Sequence, residues 1–227
     1  MVRARSSDWL IPSALIALSL VPAVAGTARL AQLAGGANIT PENARFFEAP
    51  LPVVLHIPAA IVFAILGAFQ FSPGLRRRHR KWHRAAGRIL VVAALVVAIS
   101  GLWMTLSYSW PKGDGHLVYA ERLVFGSAML LAVVLGVDAI RRRSFAEHGD
   151  WMLRAYAIGM GAGTQVLTHL PGFVLVDLAP GELPRAVMMG LGWAINVAVA
   201  EWVIRRPGDP RPRTALRQIG VRYLREQ

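Results

Sequence analysis

Cysteine is absent from the 227 residues. That excludes disulfides, thiol nucleophiles and thiolate-ligated metal clusters, and leaves His, carboxylate and backbone as ligands for any metal or cofactor. Charge is scarce: 17% of residues are Asp, Glu, Lys or Arg, where a soluble domain carries about 25%. Acids are scarcer still, 13 against 25 Lys and Arg, which gives a net charge of +12. Such a surplus would suit nucleic acid, but the arginines cluster in short segments between apolar runs. Membrane topology and anionic lipid explain them there, so nucleic acid is not an expected partner. Soluble-enzyme motifs are missing as well. Gly159, Gly161 and Gly163 fall inside an apolar run rather than between a strand and a helix, so they form no phosphate-cradling loop. Neither a G-x-S-x-G elbow nor an H-E-x-x-H pair occurs.

What the chain has in quantity is apolar sequence: 55% of residues are hydrophobic and the mean hydropathy is +0.44. The organising stretch runs from Leu51 to Arg88. About twenty apolar residues, enough to cross a bilayer at about 1.5 Å per residue, lead straight into a block of Arg and Lys between Arg76 and Arg84. That block cannot enter hydrocarbon, and the positive-inside rule assigns it to the cytoplasm. It fixes the direction of the other segments.

The expected fold is all-α: a polytopic bundle of six transmembrane helices in a bacterial inner membrane, with both termini cytoplasmic. The spans are read at about Trp9–Ala28, Pro52–Phe71, Ala86–Tyr108, Leu117–Ile140, Trp151–Val176 and Ala186–Ile204. The first also matches a secretory signal, with Ala23-Val24-Ala25 as a cleavage site. It is long for that, and its helical pattern continues past Arg29, which favours an uncleaved span. Residues 1–204 form the membrane domain. Residues 205–227 form a basic cytoplasmic tail whose end (Leu216, Ile219, Val221, Leu224) is amphipathic and suited to anionic inner-leaflet lipid. Trp103, Tyr108 and Trp110 suit the outer interface belt. Pro58 and Pro171 are expected to kink or break their helices unless neighbours satisfy the freed carbonyls. Small residues spread through the spans suit close packing in lipid, within the chain or against a membrane-protein partner or second copy.

Ionisable residues in hydrocarbon are costly, so each is a functional candidate. His56, Phe63 and Gln70 share one face of the second span, and Arg154, Gly161, Gln165, Thr168 and His169 share one of the fifth. Two site hypotheses follow. In one, His56 and His169 are axial ligands of a b-type haem near the outer face, serving electron transfer, with Gln165 and Gln70 beside it and His83 and His148 as a second pair. A straight helix between His148 and His169 would be about 31 Å long, which argues against the second pair by placing it among headgroups. In the other, His56, His116 and His169 bind zinc or copper, with Glu121 as carboxylate partner. The plainer reading makes each histidine an interhelical hydrogen-bonder, Gln70 and Asn196 glue between helices, and Arg154 a side chain reaching for headgroups. A proton or small-solute transporter and a non-catalytic assembly protein are the alternative functions.

The combination HIPAAIVFAILGAFQF, LRRRHRKWHRAAGR, Ser100-Gly101 and EHGDWMLRAYAIGMGAGT resembles a bacterial family of predicted membrane proteins of unknown function. In that family a span with His at its outer end closes in G-x-F/L-Q-F, a basic loop holds H-R-x-x-G-R, and a later helix opens with H-x-x-W-M-x-R. The resemblance covers about residues 50–170 and singles out His56, Gln70, Phe71, His83, Arg84, Gly87, Arg88, His148, Trp151, Met152 and Arg154. It implies no activity. Where family members often carry an Arg this chain has Val166, with Gln165 beside it and His169 three residues on. A looser likeness to the histidine-bearing bundles of dihaem membrane cytochromes is an analogy of fold only.

Overall fold

The computed structural model describes residues 7–175 and 181–206. The amphipathic end of the tail, most of the Asp177–Pro184 turn and the extreme N-terminus lie outside the described residues. Those described are helical, with no strand among them. In order they form α1 (Ser7–Ala34), α2 (Ala44–Glu48), α3 (Pro50–Ala68), α4 (Pro73–Arg78), α5 (Arg80–Ser107), α6 (His116–Arg141), α7 (Phe145–Gly159), α8 (Gly161–Leu175) and α9 (Glu182–Arg205).

Five of these are long and apolar enough to cross a membrane by length and composition: α1, α3 with the 3-10 turn that follows it, α5, α6 and α9. The fifth expected span, Trp151–Val176, is instead two helices of 15 residues each, broken at Met160. The helices are not broken at either proline: α3 runs through Pro58, and α8 continues past position 171 to Leu175. Close packing accounts for the break at Met160. A Cβ at Gly159 would press on the Phe63 ring, one at Gly161 on the Trp193 indole, and one at Gly163 on Leu18. This stretch must bring bare backbone against three other helices, and glycine's weak hold on helical geometry lets it turn there.

The basic block is helical rather than a loop. Ser72 caps α4, its Oγ accepting from the Leu75 N–H at 3.3 Å, with Pro73 at the first helical position. His79 turns the chain into α5, which begins at Arg80, earlier than the expected Ala86. Two helix ends close on a left-handed residue. After α1 it is Gly36 (φ 61°), with Ala37 N–H bonded to the Gln32 carbonyl. After α6 it is Arg143 (φ 59°), with Ser144 N–H bonded to Ala139.

The long helices and α8 form a ring in which α1, α3, α5, α6, α9 and α8 are successive neighbours and α8 returns to α1. Inside it stands α7, in contact with α3, α5, α6 and α9. Its Ala155, Tyr156 and Ile158 join Phe63, Val97 and Met129 in the buried core. Large apolar side chains such as Trp9, Leu10, Val92 and Leu131 face outward. On a water-soluble protein that much exposed apolar surface would drive aggregation; on a bundle in lipid it is the ordinary exterior.

Candidate functional site

Polar side chains gather at three places. The first is the seam between α9 and the two halves of the broken span. Arg154 grips Glu201 through both oxygens, at 2.5 and 3.2 Å, and Arg205 adds a third contact at 3.0 Å. Asn196 donates to the Ala157 carbonyl at 3.1 Å and accepts from Thr164 at 2.8 Å. Gln165 donates to the Met189 carbonyl at 3.2 Å, and Thr168 to Met188 at 2.7 Å. Arg154 is thus an interhelical tie with its guanidinium over the Trp151 ring. Asn196 and Gln165 bind helices together, as uncharged polar groups in lipid commonly do.

The second place is the end of the bundle opposite the arginine-rich connections, called the far end here. Asp114, in the α5–α6 loop, bridges Arg122 of α6 at 2.6 Å and Arg185 of α9 at 2.5 Å, with its side chain 2% exposed. Glu121 packs against Gly190 of α9, and its Oε2 is buried without a hydrogen-bond partner. His116 stands edge-on to Trp110 at 5.0 Å. His56 points at α5: its Nδ1 lies 3.0 Å from Ser100 Oγ. That hydroxyl donates to the Val96 carbonyl at 2.5 Å, so the Nδ1–H is the donor to Ser100 and Nε2 remains an acceptor. His169 bonds instead to the Gln165 carbonyl of its own helix, at 2.7 Å. The two histidine-bearing helices share α1 as a neighbour, α3 packing otherwise on α5 and α8 on α9.

The third place is the arginine-rich end, where the H-R-x-x-G-R and H-x-x-W-M-x-R segments meet. His148, in the first turn of α7, holds the Gly136 carbonyl of α6 with Nδ1 at 2.8 Å. Gly136 lies five residues before α6 ends at Arg141; at about 1.5 Å per residue its carbonyl is about 7 Å in from that end. Gly136 leaves room for close packing there: a Cβ would press on the end of Met152 and come near Trp151. On α5, the Nδ1 of His83 is buried with no hydrogen-bond partner, and Arg76 and His148 lie within electrostatic range of its ring. The Gln70 amide nitrogen, at the turn closing α3, is likewise buried and unpartnered. Beside it Phe71 packs on Tyr156, with ring centroids 4.8 Å apart.

Ligand number sorts the chemistry open to these places. Among the described residues no group of three or more His, Cys, Asp or Glu could hold a metal ion, whereas zinc takes three or four protein ligands. Haem iron asks the protein for one or two axial ligands. At the arginine-rich end the His148 ring is held through Nδ1, and the His83 Nδ1 is buried with no hydrogen-bond partner. Sequence reasoning names both residues as a second pair and counts their depth among the headgroups against it. It missed Asp114, which looks like a loop residue, and Tyr156, whose hydroxyl donates to the Ala64 carbonyl at 2.7 Å.

No curated protein and no solved structure matches the chain. Residues 53–204 match the model of the family described as "Predicted membrane protein (DUF2306)". That range contains every helix of the ring but α1 and both histidine-bearing segments of the arginine-rich end, and the chain belongs to this family of membrane proteins.

Proposed function

We propose that this protein is an electron-transfer component of the bacterial inner membrane, and that His83 and His148 are the axial ligands of a b-type haem held at the arginine-rich end between α5 and α7. The observation that carries the reading is the His83 imidazole, whose Nδ1 is buried with no partner while His148 stands within electrostatic range. An unsatisfied buried nitrogen costs about 1–3 kcal/mol, and ligation would remove that cost. The Gly136 carbonyl fixes the tautomer of His148 so that its Nε2 carries the lone pair, the arrangement ligating histidines ordinarily show. Bound there, haem would supply one-electron chemistry. The chain would supply ligation and the positive charge of Arg76, which favours the electron-rich reduced state.

In this reading α7 and α8 together make a sixth crossing, and the arginine-rich end faces the cytoplasm with both termini and anionic lipid around it. The test is a reduced-minus-oxidised spectrum of the full chain, purified in detergent from cells supplied with a haem precursor. We expect a Soret and an α-band in the wild type and in His169→Ala, and their loss in His83→Ala and His148→Ala with an unchanged size-exclusion profile. A wild type that stays colourless after added hemin, or a spectrum that survives His83→Ala/His148→Ala, would refute the assignment.

A further inference from the structure

A separate feature stands at the far end and does not depend on the haem reading. The short helix α2 carries Arg45 and Phe46 over the mouth of the bundle. The Phe46 ring has the Arg29 guanidinium 4.6 Å from its centroid and the Arg45 guanidinium at the same distance. The two cations are therefore separated by at most twice that length. Tyr108 closes the other side, edge-on to Phe46 at 5.5 Å, and is anchored by donating its hydroxyl hydrogen to the Ala49 carbonyl at 2.6 Å.

The charges here do not balance locally. Arg45 lies in the field of Arg29, Arg122 and Asp114, three cations counting itself and one carboxylate. Asp114 is already committed, buried between Arg122 and Arg185. Arg29 finds a neutral partner, the Gln32 amide oxygen at 2.7 Å, and among the described residues neither Arg29 nor Arg45 makes an ion pair. Burial, with Arg29 and Arg122 nearby, lowers the proton affinity of Arg45 from its ordinary value. A guanidinium held beside like charges without a carboxylate is costly unless something else supplies the negative charge.

We infer that Arg29 and Arg45, both in contact with the Phe46 ring and walled by Tyr108, form an anion site taking a phosphate or carboxylate group. Guanidinium forks match the several acceptor oxygens of either group, and the aromatic pair shields the contact from water. Such a group reaches the far end on a lipid headgroup or on a soluble anion.

Both sources are tested on the full chain. In neutral detergent, thermal midpoints are compared in sodium chloride, inorganic phosphate and succinate at equal ionic strength. In nanodiscs, phosphatidylcholine is compared with a phosphatidylcholine–phosphatidylglycerol mixture. Wild type is expected to be stabilised by phosphate or succinate beyond chloride if the source is soluble, and by phosphatidylglycerol if it is lipid. Either response should weaken by about tenfold in apparent affinity in Arg45→Gln, the loss of one charge-assisted contact. It should persist in Arg77→Gln at the opposite end. Arg29→Gln, on the long helix α1, is the second variant should Arg45→Gln fold poorly. No response beyond chloride and phosphatidylcholine, or a wild-type response in Arg29→Gln and Arg45→Gln alike, overturns the site.

Discussion

Where α3 crosses α7, the space a side chain would need at Gly67 is filled by the ring edge of Tyr156. That ring is 4% exposed, lies between Phe63 at 5.5 Å and Phe71 at 4.8 Å, and is pinned by its bond to the Ala64 carbonyl. Gly67→Ala therefore displaces a ring with nowhere to go. Overpacking of this kind costs about 1–3 kcal/mol, and the lost hydrogen bond about 0.5–1.5 kcal/mol. Against this stands a gain of about 1 kcal/mol from alanine's better helix propensity. The net is a loss of about 1–3 kcal/mol, or roughly 2–12 °C in the thermal midpoint for a chain of this size. The decisive comparison is with a Tyr156→Ala background, where the space is open. There Gly67→Ala should be neutral or stabilising by up to about 1 kcal/mol, since only the propensity effect remains. Midpoints of the four proteins of this cycle, in one detergent, give the coupling directly. Equal destabilisation by Gly67→Ala in both backgrounds would show that the crossing is not set by the Tyr156 ring.

Two further substitutions test the other ties between helices, beside the haem spectra and anion titrations above. Ser100→Ala removes the partner of His56 and should cost about 0.6–1.7 kcal/mol, the range for hydrogen bonds between helices in lipid; an unchanged midpoint in graded dodecyl sulfate would mean that the contact holds nothing. Asp114→Asn keeps the shape but discharges the carboxylate that joins Arg122 to Arg185. With both arginines 28% exposed, solvent screening reduces the expected loss to about 1–3 kcal/mol. A variant as stable as wild type in the same assay would refute the claim that this carboxylate ties α6 to α9.

Sequence pattern located five long helices because each is an unbroken apolar run ended by charge or by Gly and Pro. Their ends were less legible: hydropathy drops at Arg84, yet α5 starts at Arg80, since a helix can continue into arginines that reach water. At Pro58, α3 is unbroken. The real break at Met160 is visible in sequence only as a glycine-rich stretch, and its cause, contact with Phe63, Leu18 and Trp193, is tertiary. The sequence shows which histidines fall in or beside apolar runs, but it carries no record of rotation about the helix axis, so it does not show that His56 turns to Ser100 and His169 to its own helix. His83 and His148 come within range of each other because the α3–α5 and α6–α7 turns close at the same end of the ring. Asp114 was overlooked because a loop aspartate is ordinarily solvated, and only the fold buries it.

The placement of α7 inside the ring bears on how the chain is made. Among the neighbours of α7 is α9, which follows every other described helix in the chain. Until α9 arrives, Arg154 has no Glu201 to neutralise it, and the Ala157 and Thr164 groups that Asn196 will bind stay open to lipid or stray water. A nascent chain stopped before α9 thus displays a naked cation inside a half-built barrel of helices, a signal that membrane proteases and chaperones can read. Arrival of α9 and closure of the interior around α7 become a single event, with α9 as the keystone.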